Sequence, residues 1–198
     1  MKLLLHACCA PCSTACIGGL RDDGIVPRLF WFNPNIHPFT EYSARRESLA
    51  AFALEEKLEL DTQGSYGLKE FIRALDSDFS GGRCAICYRM RLEKTAFFAR
   101  DNGFDAFSTT LLTSPHQKHD LIRQIGEECA LKAGVEFFYR DFRPLFRDGQ
   151  RKARANGCYM QKYCGCIFSE EERYAENAAI SDSSPISNSS RPAGLTNS

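Results

Sequence analysis

Short apolar runs alternate along the chain with longer segments that repeat apolar residues at helical spacing. The runs are five to seven residues long, which is typical of buried strands, and they predict strands at 2–7, 26–32, 58–62, 105–110 and 135–139. The longer segments predict helices beginning at Pro11 and covering 40–57, 68–75, 84–100 and 117–133. Strands that alternate with helices long enough for crossovers predict an α/β fold with three layers and a mostly parallel, Rossmann-like sheet.

The end of the chain follows a different pattern. Residues 177–198 contain no aromatic residue and no apolar periodicity, and serine, asparagine and proline are frequent there. Such a segment cannot bury enough apolar surface to offset the entropy of ordering. We therefore predict a single α/β catalytic domain over 1–176 and a disordered C-terminal tail over 177–198.

Unusual sequences follow several of the predicted strands. Cys8 and Cys9 follow the first strand, the Asn33-Pro34-Asn35 loop follows the second, and the segment after Thr110 follows the fourth. Ligands of open parallel sheets bind beyond the carboxyl ends of the strands. The functional site is therefore expected at this edge.

Composition limits the compartment and the use of the cysteines. The chain has 198 residues, a formal net charge of +0 and ten cysteines. Its first apolar run is interrupted by His6 after three leucines, whereas a signal peptide needs roughly 7–15 apolar residues. No stretch reaches the roughly 20 apolar residues of a membrane span, so we expect a cytoplasmic protein without a membrane partner. Structural disulfides are rare in the cytoplasm, which leaves metal binding and redox chemistry as the common uses of cysteine.

Cys8, Cys9, Cys84 and Cys87 form one candidate set of metal ligands. The Cys84-x-x-Cys87 spacing at a loop-to-helix boundary lets two thiolates converge on one metal or cluster. The adjacent pair fits two corners of a larger cluster more easily than one tetrahedral zinc ion. These features favour an iron–sulfur cluster, while zinc and dithiol redox chemistry stay open as alternatives.

Cys164-Gly165-Cys166 is a second candidate site. A Cys-x-Cys pair can close a strained, labile disulfide, and Gly165 supplies the necessary backbone freedom. We predict a redox-active pair, with metal ligation as the alternative. Cys12 is either a ligand of a second metal or a core residue, and Cys16 is expected to be buried in helix packing.

Histidines and basic residues complete the candidate residues. His37 lies at the predicted ligand edge and is a candidate proton donor, as is His116. Basic residues interleaved with aromatic residues can hold nucleic acid through phosphates and base stacking. The stretch that carries them contains Arg143, Arg147, Arg151, Lys152 and Arg154.

Six motifs in chain order resemble those of the cobalamin-independent epoxyqueuosine reductases. The resemblance covers roughly residues 2–170. The motifs are His6-x-Cys8-Cys9-x-Pro11, Phe32-Asn33-Pro34-Asn35-Ile36-His37-Pro38, Arg83-Cys84-x-x-Cys87-Tyr88-x-Met90-Arg91, Thr109-Thr110-Leu111, Ser114-Pro115-His116 and Tyr163-Cys164-Gly165-Cys166.

This resemblance implies a specific activity. The family reduces the epoxide of epoxyqueuosine to queuosine at the wobble position of tRNA, the last step of queuosine biosynthesis, on a fold similar to the adenine-nucleotide α-hydrolases. By position, a [4Fe–4S] cluster would be held by Cys8, Cys9, Cys84 and Cys87. Cys164 and Cys166 would be the redox-active pair. The partners would be a tRNA anticodon stem-loop, on the basic stretch 140–154, and an electron donor that the sequence does not identify.

The chain departs from the family pattern at one position. Some members have an additional mononuclear iron with a carboxylate ligand near the first motif, and Cys12 stands where that aspartate is expected. Either Cys12 replaces it as a ligand, or the second metal differs or is missing.

Three other functions are compatible with parts of the sequence. An iron–sulfur disulfide reductase acting on a small substrate would use a similar cysteine set, and a zinc-stabilised RNA-binding module would use the same thiols without catalysis. An ATP-using tRNA-modifying enzyme would need a glycine-rich phosphate loop after the first strand, and 8–11 contains no glycine.

Overall fold

The computed structural model describes residues 1–76 and 82–182. Within that part of the chain, five strands form one parallel sheet in the order β3-β2-β1-β4-β5. The strands are β1 (Leu3–His6), β2 (Arg28–Trp31), β3 (Leu60–Thr62), β4 (Ala106–Thr109) and β5 (Glu136–Phe137). This strand order is Rossmann-like and confirms the predicted parallel sheet.

Helices cover the sheet on both faces. They are α1 (Ala10–Asp22), α2 (Phe39–Glu55), α3 (Leu68–Leu75), α4 (Arg83–Asp101), α5 (His119–Ala133), α6 (Phe146–Ala155) and α7 (Ile167–Asp182), with 3₁₀ turns at Thr110–Thr113 and Arg143–Leu145. α1 contacts α2 and α6, whereas α4 contacts α5. Right-handed crossovers place these two groups on opposite faces, which gives the three layers. No described helix has the length and apolarity that a membrane crossing requires.

The core lies between the sheet and these helices. Leu3–Leu5 and Leu29–Trp31 are at most 1% exposed, as expected of central strands covered on both faces. The Trp31 indole donates a hydrogen bond to the Tyr42 hydroxyl at 3.2 Å. Apolar positions of α2 and α5 are buried against the sheet, namely Tyr42, Leu49, Phe52, Ala53, Ile125, Cys129 and Ala133.

The last two helices are absent from the sequence prediction. α6 buries only Gly149 and Ala153, because Gly149 lies against Ala15 of α1, so small residues replace the usual apolar stripe. α7 continues through Asp182, beyond the predicted start of the tail at residue 177, and the division into a domain and a tail stays a prediction. Alanine has the highest helix propensity, and the helix continues through Ala178 and Ala179. The rest of the predicted tail, 183–198, lies outside the described residues.

The strand order places a crevice between β1 and β4. The chain runs from β1 to β2 on one side, and later returns to β4 on the other side of β1. This reversal is the position at which open α/β sheets bind ligands. Cys8 and Thr110, which follow β1 and β4, meet there, with the Cys8 amide donating to Thr110 Oγ1 at 3.3 Å.

Candidate metal centre

Three thiols converge at the carboxyl end of β1. The Sγ atoms of Cys8, Cys9 and Cys12 all lie within 4.8 Å of one another, and the three residues are buried. Cys9 caps the start of α1 and Pro11 lies in its first turn. Residues three and four apart at a helix start face the same side, which brings Cys12 beneath the adjacent pair. Cys12 therefore belongs to the thiol group. The sequence had left open whether it is a metal ligand or a core residue.

This thiol group is suited to a soft metal. The Cys8 and Cys9 sulfurs are 4.0 Å apart, and buried thiolates are the ligands that zinc, copper(I) and iron–sulfur clusters prefer. Thr110 Oγ1 lies 3.5 Å from Cys8 Sγ. Gln161 Nε2 donates to Cys9 Sγ at 2.9 Å and lies 3.7 Å from Cys12 Sγ. The residues present thus fit a metal, and Gln161 is a neighbour that sequence reasoning missed.

Protonation of the three thiols is unequal. The pKa of the Cys8 thiol is well below its usual range, because Cys12 and Cys9 donate hydrogen bonds to its sulfur and Arg91 lies nearby. The Cys12 pKa is raised because its thiol donates to Cys8, and burial raises the pKa of Cys9. Cys8 is therefore the most acidic of the three thiols, and metal binding would release the protons that the thiols hold.

The other candidate cysteines form a second group. Cys84 and Cys87 lie on the first turns of α4, and buried Cys87 and Cys166 pack together against α3. Cys87 interacts electrostatically with Cys164, Cys166 and Cys84, although burial is the main reason that its pKa rises to about 12. The Cys-x-x-Cys and Cys-x-Cys motifs are therefore neighbours. Within the described residues, the tight thiol group at β1 includes neither of these motifs.

Arg91 lies between the two cysteine groups. It is 3% exposed, and its guanidinium donates to the Cys87 carbonyl at 3.2 Å and to Cys87 Sγ at 3.1 Å. It also interacts electrostatically with Cys8 and Cys164. A single buried positive charge thus acts on both groups of sulfurs.

A second buried arginine holds the Cys-x-Cys segment. Arg45 is 1% exposed and pairs with Glu41 at 2.6 Å. Its other nitrogens donate to the Tyr163 carbonyl at 2.8 Å and the Cys164 carbonyl at 3.2 Å. Arg45 therefore connects α2 to the backbone of the candidate redox pair.

The loop after β2 completes this attachment. The His37 amide donates to the Gly165 carbonyl at 2.8 Å, and the Tyr163 hydroxyl donates to the His37 carbonyl. Gly165 has φ +106°, and a side chain there would press on Ile36 and Arg45. The spacing residue of the motif must therefore be glycine.

The histidines differ in their surroundings. The ring nitrogens of His37 have no hydrogen-bond partner among the described residues, and burial lowers its pKa to about 4, so the ring is neutral near pH 7. His6 is buried between Thr109 Oγ1 at 2.9 Å and the Phe32 carbonyl at 3.2 Å, where it links three strands. His116 is exposed on the loop before α5. The proton-donor role of His37 or His116 stays a prediction.

Basic side chains cover the outer face of α6. Arg147, Arg151, Lys152 and Arg154 are exposed there, and Arg143 is exposed in the turn before it. Arg143 pairs with Asp141 and Arg151 with Asp148. The buried face of α6 packs on α1, which begins at the thiol group. The helix that carries the basic face therefore packs on α1, and the candidate metal site lies at the start of α1.

The family model and the similar proteins that follow carry the same family name. A family model described as "Epoxyqueuosine reductase QueH" matches residues 3–172. A protein of that name from Dehalococcoides mccartyi is 39% identical over 175 residues, covering 88% of this chain and 96% of the relative. Another from Thermotoga maritima is 38% identical over 188 residues, covering 90% and 95%. One from Acinetobacter baylyi is 33% identical and covers 85% and 80%.

A solved structure is also similar. It is described as a predicted subunit of tRNA methyltransferase from Methanocaldococcus jannaschii, and it matches with a TM-score of 0.47 at 13% identity. The match covers 89% of this chain and 88% of that one.

Proposed function

The chain belongs to the epoxyqueuosine reductase QueH family, and from this we propose that it removes the epoxide oxygen of epoxyqueuosine at the wobble position of tRNA to give queuosine. It is an oxidoreductase. The observation that carries the proposal is the group of buried thiols at the crevice between β1 and β4. We propose that residues 1–176 act as one catalytic domain in the cytoplasm. The disulfide-reductase and zinc-module alternatives are not favoured, because the relatives share the reductase name over most of this chain.

The metal content is part of the proposal. Cys8, Cys9, Cys84 and Cys87 would hold a [4Fe–4S] cluster, which when bound supplies electrons one at a time. Arg91, whose charge reaches both halves of this ligand set, supports their use around one centre. Cys12 would be a ligand of an additional metal, since its sulfur lies as close as those of its neighbours.

The reaction must balance electrons and protons. Opening the epoxide to an alkene consumes two electrons and two protons and releases the oxygen as water. Oxidation of the Cys164 and Cys166 thiols to a disulfide would supply both electrons and both protons. An external electron donor must then reduce that disulfide, and Cys164 is exposed to solvent where a donor could reach it. Arg45 would keep the pair in place through its two carbonyl contacts.

Binding of the tRNA would use the outer face of α6. Lysine and arginine contacts to phosphates position a nucleic acid without reading its sequence, so binding should weaken steeply with salt. We propose that Arg147, Arg151, Lys152 and Arg154, with Arg143, hold the anticodon stem-loop. Gln161 follows α6 in the chain and donates a hydrogen bond to Cys9, so a stem-loop bound on α6 would lie close to the thiol group.

Anaerobic turnover tests the proposal directly. The protein, purified without oxygen and analysed for iron and sulfide, is incubated with epoxyqueuosine-containing tRNA and a low-potential reductant. Nucleoside mass spectrometry should find a product lighter by one oxygen. An intact cluster without that product would contradict the assigned reaction, and a zinc-only protein would contradict the cluster.

Single cysteine variants separate the roles. Cys87→Ala should lose the cluster and activity together, whereas Cys164→Ala should keep the cluster and lose turnover. Cys12→Ser should keep the cluster and lose the additional metal. Cys158→Ala is the matched control, because that half-buried cysteine lies outside both groups. Turnover by Cys164→Ala at the wild-type rate would refute the redox-pair role.

A further inference from the structure

Arg91 is a buried cation without a carboxylate. The titratable groups that interact with it most strongly include the Cys87, Cys8 and Cys164 sulfurs and the Tyr88 hydroxyl, and no Asp or Glu among the described residues pairs with it. Its side chain is 3% exposed, so water does not stabilise the charge. A guanidinium stays protonated in proteins, and a buried one without an anion is strongly destabilising.

Arg45 provides the comparison within the same molecule. It is equally buried, but Glu41 lies 2.6 Å from its Nε and balances its charge. Its remaining donors bind backbone carbonyls. Both arginines interact electrostatically with cysteine sulfurs, Arg45 with Cys9 and Cys8 and Arg91 with Cys87, Cys8 and Cys164. They differ in that Arg45 also has a carboxylate partner, whereas no Asp or Glu among the described residues pairs with Arg91.

The hydrogen bonds of Arg91 place its charge at a candidate ligand. One terminal nitrogen lies 3.1 Å from Cys87 Sγ, and Nε lies 3.2 Å from the carbonyl of the same residue, one helical turn earlier on α4. The contact to the carbonyl keeps the guanidinium in place whatever the sulfur binds. The charge therefore stays beside Cys87 when the thiolates hold a metal.

We infer that Arg91 is a positioning residue that supplies the counter-charge to the metal-bound thiolates and raises the reduction potential of the centre they hold. This rests on the proposed cluster. A positive charge stabilises the reduced form, which carries one more electron, more than the oxidised form. Hydrogen bonds to cluster sulfurs and local charge are known determinants of cluster potential. Because Arg91 also acts on Cys164, the same charge would favour electron transfer between the centre and the Cys164–Cys166 pair.

The test is an anaerobic redox titration of the holoprotein, followed by the electron paramagnetic resonance of the reduced cluster. We would compare wild type with Arg91→Gln, Arg91→Lys and Arg89→Gln. Arg89 lies on the same helix but is partly exposed and pairs with Glu128, so it controls for loss of an arginine. Arg91→Gln should make reduction at least tenfold less favourable, which is a midpoint about 59 mV lower for one electron. Arg91→Lys should shift less than half as far, and Arg89→Gln should not shift.

Loss of the cluster is also informative. If Arg91→Gln is purified without iron while Arg91→Lys retains a full cluster, the result would support the requirement for a positive charge. The inference is overturned if the lysine and glutamine variants behave alike, whether both keep the wild-type potential or both lose the cluster. A wild-type protein without iron and sulfide would refute both the cluster and this inference. If the wild-type protein converts epoxyqueuosine but Arg91→Gln has an unchanged reduction potential, the inference about Arg91 is refuted and the proposed function is not.

Discussion

Removal of the Arg45 side chain should both destabilise the protein and release the candidate redox pair. Arg45 is buried and joins Glu41 on its own helix to the Tyr163 and Cys164 carbonyls. Arg45→Met keeps most of the apolar side-chain volume and removes the charge and all of its donors. Glu41 would remain buried, with the Tyr159 hydroxyl as its hydrogen-bond donor among the described residues.

The size of the effect follows from this geometry. Breaking a buried ion pair by removing one partner costs about 3–5 kcal/mol, because the other charge is left uncompensated. In a chain of this length each kcal/mol lowers the unfolding temperature by about 2–4 °C. We therefore expect Arg45→Met to unfold about 6–20 °C below wild type. Turnover should fall as well, because the carbonyls beside Cys164 lose their donor.

Circular dichroism of anaerobic samples during heating measures the stability part. Arg46→Met is the matched control, because Arg46 is the next residue on α2 and is exposed. The double variant Arg45→Met/Glu41→Leu should recover most of the lost stability, since it removes both buried charges. It should not recover turnover, because the Tyr163 and Cys164 carbonyls stay without their donor.

Two results would refute this reasoning. Equal unfolding temperatures for Arg45→Met and Arg46→Met would show that the buried pair contributes nothing to folding. Wild-type turnover in the double variant would show that the contacts of Arg45 to the Cys-x-Cys backbone are not needed to position that segment.

Three further variants test other parts of the structure. Gly149→Val should destabilise the chain by about 1–3 kcal/mol in urea unfolding, because a Cβ there would lie 2.5 Å from Cβ of Ala15; unchanged stability would contradict the packing of α6 on α1. Gln161→Leu should weaken metal retention by about 10–100-fold in chelator competition, since it removes the donor to Cys9 Sγ, and equal retention would exclude such a role. Burial lowers the pKa of His6 to about 4, so the stability that its neutral ring confers is complete above pH 6.5 and is lost as the pH falls towards 4. Between those pH values wild type should lose about 3 kcal/mol more than His6→Gln in thermal melts, and parallel pH profiles would contradict this.

The strands and central helices could be predicted because their burial leaves a pattern in the sequence. Leu3–Leu5 and Leu29–Trp31 are continuous apolar runs, as buried parallel strands must be. α3 was predicted with its observed bounds, Leu68–Leu75. α6 left no such pattern, because its close approach to α1 depends on Gly149 and Ala153 among charged residues. Small residues at a helix contact do not raise local hydrophobicity, so apolar periodicity cannot detect them.

The site could be predicted only as far as residue type indicates chemistry. The motif cysteines were identifiable because thiols in close spacing have few cytoplasmic uses. Gln161 and Arg45 were not identifiable as site residues, because each acts through a contact between distant parts of the chain. Gln161 reaches Cys9 across 152 positions, and Arg45 reaches Cys164 across 119. In a sequence these residues are typical of an exposed surface.

The two buried arginines have different electrostatic roles in the site. Arg45 pairs with Glu41 and also interacts electrostatically with Cys9 and Cys8, and its hydrogen bonds hold the backbone of the candidate redox pair. Arg91 has no carboxylate among the described residues, so its charge acts on the sulfurs around it. If both arginines were paired with carboxylates, thiolates would gather in a buried site with no net positive charge to balance them. Arg91 therefore supplies the buried positive charge that no carboxylate among the described residues neutralises, and this charge would stabilise any thiolate that the crevice holds.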